Sequence, residues 1–86
     1  LLGQTAKAKD ICQKLWKNHK QYAQWYLSLD DFRFMASQNQ CLLYFQLMME
    51  VNKVTTLFDK NLAKKQMDEL SRFYTIYAQK GGKPLD

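Results

Sequence analysis

Residues 29–58 read LDDFRFMASQNQCLLYFQLMMEVNKVTTLF, and the reading of this stretch decides the fold. It contains neither glycine nor proline, the two residues that most strongly interrupt regular structure. Its apolar residues recur at intervals of three and four, the helical period, and no strand-like alternation competes with it. Leu29, Phe32, Ala36, Gln40, Leu43, Leu47, Val51, Val54 and Phe58 keep one phase throughout. That line predicts a continuous helical rod of about 45 Å, with this set as its core face. The polar run Ser37-Gln38-Asn39-Gln40 marks where a break would fall if the rod were two helices.

The same stretch carries a second apolar line. Phe34, Cys41, Phe45 and Met48 are spaced 7, 4 and 3 apart and fall almost opposite Ala36, Leu43 and Leu47 when each residue turns by about 100°. Residues 41–49 are consequently apolar nearly all round, and such a helix is normally enclosed on every side. Two flanking helices cover only part of its circumference. Phe34, Cys41, Phe45 and Met48 are therefore expected to form an exposed strip that binds a partner, either a second copy of the chain or a partner helix.

Outward from the rod, residues 4–80 hold no glycine or proline at all. A first helix is expected over about residues 5–27, its apolar line Ala8, Ile11, Leu15, His19, Tyr22 and Tyr26, widened by Cys12, Trp16 and Ala23. Ser28 and Asp31 have the spacing of a weak capping box between the first helix and the second, expected at about 29–58. A third helix, about 62–79, begins after Asp59 or Asn61 as cap and buries Ala63, Met67, Leu70, Phe73, Tyr74 and Tyr77. Gly81-Gly82 closes it and Pro84 prevents it from resuming. Short connections force neighbours antiparallel. The expectation is an all-α, antiparallel up-down-up three-helix bundle with a long central helix, a single domain over residues 1–82 and a flexible tail at 83–86.

Composition agrees with one small domain. The 86 residues are 47% hydrophobic and 24% charged, ordinary values for a globular chain. Twelve aromatic residues supply enough surface to fold, which excludes intrinsic disorder for most of the chain. The densest apolar block is far shorter than the roughly 20 residues of a bilayer span. Cys12 and Cys41 do not make a disulfide framework, and in the bundle register they are offset by about 6 Å along the axis, so no bridge is expected. No secretion signal is visible at the start, which points to a cytoplasmic location. The first residue is not Met, so a helical subdomain of a larger polypeptide is a further reading.

The net charge of +5 is concentrated at the start: residues 1–28 carry five lysines against one aspartate. Lys7, Lys9, Lys14, Lys17 and Lys20 could lie along phosphates, which makes nucleic-acid binding the runner-up function. Only two arginines, Arg33 and Arg72, stand ready to read bases, and no short recognition helix follows a tight turn. Trp25 falls off the core line and is either a partner anchor or a cover over the Ser28 turn against Phe32. Catalysis finds little support. His19 lies on the apolar line of the first helix, Asp30-Asp31 and Asp68-Glu69 are surface pairs, and no glycine-rich phosphate cradle exists. No cofactor and no metal are expected. The function expected is a non-enzymatic protein–protein interaction module.

Overall fold

Two aspartates set the helix starts. Asp30, in extended backbone, accepts a hydrogen bond from the Arg33 amide at 2.8 Å and opens the second helix. Asp59 accepts from the Leu62 amide at 3.0 Å and opens the third. Each carboxylate satisfies an amide that has no partner inside its helix and places negative charge at the positive end of the helix dipole. Ser28 acts at the other side of the first turn: its hydroxyl donates to the Trp25 carbonyl at 2.6 Å, so it closes the first helix and does not cap the second.

The structure, a computed structural model, describes residues 2–84. Its three helices are α1 (Leu2–Leu27), α2 (Asp31–Thr56) and α3 (Lys60–Gln79), and there is no strand among the described residues. The expected bundle is observed, with α2 continuous through Ser37-Gln38-Asn39-Gln40. Its 26 residues give a rod of about 39 Å, slightly shorter than expected because both ends unwind into caps.

Contacts between side chains give the chain directions. Lys9 meets Asp59 and Lys20 meets Glu69, so α1 and α3 ascend together. Asn52 meets Ala63, Phe45 meets Tyr74, and Phe34 meets Tyr77, so α2 descends between them. The Cα envelope measures 48 × 19 × 17 Å and its radius of gyration is 14.1 Å, against about 12 Å for a spherical domain of this length. The molecule is a slim rod.

A Schellman motif ends α3. Gly81, at φ 91°, turns the chain in the left-handed region, with Gly81 and Gly82 amides bonded to the Ala78 and Tyr77 carbonyls. The chain then passes so close over the Tyr77 ring that only a glycine fits at position 82. Lys83, expected to be loose, is held from both sides: the Tyr77 hydroxyl donates to its carbonyl at 2.7 Å, and its amide donates to Gln38 Oε1 at 2.8 Å. Residues 85 and 86 of the expected tail lie outside the described residues. No helix among the described residues is long and apolar enough to cross a membrane.

Candidate interaction surface

The core runs along one side of α2, and it is the side expected to face outward. Phe34, Cys41, Phe45 and Met48 are fully buried, 0% exposed each. They cannot form the partner-binding strip in this monomer. Phe34 and Phe45 meet Tyr77 edge-on, with ring centroids 5.6 and 5.5 Å away, and Lys80 covers the end of the row with its ammonium 5.3 Å from the Phe34 ring centre. Gln38 and Asn52 share this buried face. Asn52 donates to the Ala63 carbonyl at 2.8 Å and to Gln66 Oε1 at 3.2 Å. Gln38 receives the Lys83 amide. The line was legible as apolar, but its two amides look like surface residues until their partners on α3 and the chain end are in place.

The line expected to be the core therefore points largely to solvent. Phe32, Leu43 and Val54 are exposed on α2. α1 is turned in the same sense: Cys12, Trp16 and Ala23 are buried, while Ile11, Leu15 and Tyr22 are exposed. Trp16 donates its indole N–H to Glu69 at 3.2 Å, which anchors α1 on α3 through the widening residues of its apolar face.

These exposed residues gather on one face. The side of α1 that meets α3 is marked by Lys9, Trp16 and Lys20, bonded to Asp59 and Glu69. The side that meets α2 is marked by Tyr22, stacked on Tyr44 at 4.9 Å, and by Tyr26 and His19 beside the same ring. Helical phase places Ile11, Leu15 and Tyr22 beyond Tyr44 on the side away from α3. Measured along the axes from the Tyr22–Tyr44 stack, Leu15 stands level with about Val51 and Ile11 with about Val54. At the opposite end Trp25 packs edge-on against Tyr26 at 5.0 Å, and together with Leu29, Phe32, Arg33, Ala36 and Gln40 they line an apolar hollow. Trp25 thus shares a hollow with Phe32 yet stays mostly in solvent.

Ile11, Leu15, Tyr22, Trp25, Phe32, Leu43 and Val54 are between 41% and 85% exposed. Lys14 stands at the outer rim of α1, while Glu50 lies in the α2 row itself, in phase with Phe32 and between Leu43 and Val54. Two long helices with apolar sides turned the same way, and a third helix only behind them, leave the place of a fourth helix open.

The five lysines proposed as a phosphate-binding row do not share a face. Lys9 and Lys20 turn toward α3 and pair with Asp59 at 2.7 Å and Glu69 at 3.0 Å. Lys14 pairs with Asp10 at 3.0 Å. The reason is phase: Lys9 and Lys20 lie more than a quarter turn from Lys7 and Lys14, enough to reach the neighbouring helix.

Among the described residues the titratable groups show no convergent arrangement. Cys12 and Cys41 are free and buried, and burial pushes the Cys41 thiol up to about 11. His19 has its pKa lowered by burial, and its Nδ1 is buried without a hydrogen-bond partner. The hydrogen bond from Lys9, aided by the Leu62 amide, holds Asp59 below the usual carboxylate range. Among the described residues no group of three or more His, Cys, Asp or Glu is placed to hold a metal. Compared with protein-family models, curated proteins and solved structures, the chain matches none.

Proposed function

We propose that this chain is a non-catalytic protein–protein interaction module that docks through the outer face of α1 and α2. One observation carries the reading: seven large apolar side chains of α1 and α2 stand 41–85% exposed, and helical phase turns them toward the same side. Scattered exposed apolar residues are ordinary, whereas a contiguous patch marks a contact surface. The face also has aromatic residues of the kind that anchor interfaces, Trp25, Phe32 and Tyr22. The pairing of Lys9 and Lys20 within the bundle weakens the case for nucleic acid, because phosphate neutralisation needs cations free to leave their counterions.

The test is photo-crosslinking in cells, with benzoylphenylalanine in place of Leu43 on the face, or in place of Arg72 on the exposed side of α3. A discrete protein adduct from position 43 and none from position 72 supports the reading. Absence of any adduct from position 43 overturns it.

A further inference from the structure

The exposed face is matched to a second copy of itself. We infer that two chains associate face to face about a two-fold axis parallel to the bundle, so that α1 of one copy lies against α2 of the other. This rests on the α1/α2 face being the docking surface, and names its occupant.

Area is the first argument. The seven exposed side chains leave on the order of 700 Å² of surface per copy, close to the roughly 800 Å² per partner of a stable specific interface. A single partner helix laid in the groove reaches the residues lining its floor, but Trp25 and Phe32 at one end and Leu43 on the outer flank of α2 need a surface two helices wide. A second copy provides one of equal length and width. Closure is the second argument. A self-complementary face covers itself completely in a two-fold pair and leaves no apolar remainder for further addition.

Charge selects the axis. With the two-fold perpendicular to the helices, α1 would border α1 of the second copy and bring two sets of Lys7, Lys14 and Lys17 together. With the two-fold parallel to the bundle, the α1 rim borders the α2 rim of the second copy. Lys14 then stands level with about residue 52, within reach of Glu50 of the second copy. Both groups are largely exposed in the monomer and hold only local pairs, Lys14 with Asp10 and Glu50 with Lys53, so either can turn to a new partner. In this arrangement every helix in the four-helix layer runs antiparallel to its neighbours, the geometry of an up-down bundle.

Sedimentation equilibrium of the purified chain from about 1 to 100 μM at physiological salt tests the inference. The wild type is expected to show twice the 10.2 kDa chain mass at the upper concentrations. Leu43→Glu, which crosses the interface twice, is expected to weaken association by about 100-fold or more while its helical circular dichroism stays unchanged. Lys14→Glu and Glu50→Lys alone are each expected to weaken it by about 3- to 10-fold, and the double reversal to restore it. A wild type monomeric at 100 μM overturns self-association, as does a dimer indifferent to Leu43→Glu. Failure of the double reversal to restore binding overturns the parallel axis. Failure here is distinct from failure of the interaction reading: a monomeric chain whose position 43 still crosslinks a different protein loses the second copy and keeps the docking face.

Discussion

At the scale of single residues, burial and pairing decide what each polar group contributes. Asn52 ties α2 to the Ala63 carbonyl and to Gln66 inside the core. Asn52→Ala should cost about 1–3 kcal/mol in urea unfolding, because it removes two buried hydrogen bonds and leaves Gln66 Oε1 without that donor. His19 gives a pH signature. Its folded pKa lies below the ordinary value of 6.5, so the unfolded chain binds a proton first as pH falls. Stability from this group is complete above 6.5 and is lost as pH drops below it toward the folded value. The thermal midpoint should therefore fall between pH 7 and pH 5, and His19→Phe should fall less; equal slopes would remove His19 as the cause. Asp59 acts in the same sense at lower pH. Its folded pKa lies below the ordinary 3.8, so its contribution is present above that value and disappears below it as the carboxylate protonates and releases Lys9.

At the scale of the helix, the two sides of α2 make opposite predictions for similar substitutions. Phe45→Ala removes a fully buried ring packed on Tyr74 and Tyr77 and should cost about 3–5 kcal/mol. Leu43→Ala, half exposed, should change monomer stability by less than about 0.5–1 kcal/mol. Equal losses at the two positions would mean that the rod is rotated from the orientation described. Helix count, helix type and the Asp59 cap were legible, because they rest on local signals: period, the absence of Gly and Pro, and a carboxylate at the start of α3. At the start of α2 the spacing pointed to Ser28, and the cap is Asp30. The rotation of α2 was not legible. Its apolar residues are spread so evenly around the axis that neither line outweighs the other, and the deciding contacts of Gln38 and Asn52 lie far along the chain. The third helix, with a clearly one-sided pattern, placed Ala63, Leu70 and Tyr77 inside as expected, while Met67 is exposed.

At the scale of the whole molecule, three helices build a rod with a finished side and an unfinished one. The α3 side is closed by the Lys9–Asp59 and Lys20–Glu69 pairs, the Trp16 indole and the chain end folded over Tyr77. The α1/α2 side carries most of the large apolar residues left in solvent. If a second copy covers that side, folding and association are linked, and the thermal midpoint should rise with protein concentration. Leu43→Glu should make the midpoint independent of concentration without lowering it at the dilute limit. A midpoint that is flat with concentration in the wild type would contradict this.

Taken alone, the sequence determined that the chain is helical, that it has three helices with these approximate limits, and that its middle helix carries more apolar surface than one bundle can enclose. Those conclusions depend on neighbours one to four residues apart. Which of the two apolar lines turns inward, and hence whether Phe45 or Leu43 meets solvent, was settled only by tertiary structure. The choice depends on whether buried amides find partners, and those partners are backbone and side-chain groups of α3 and the chain end, brought near only when the bundle closes.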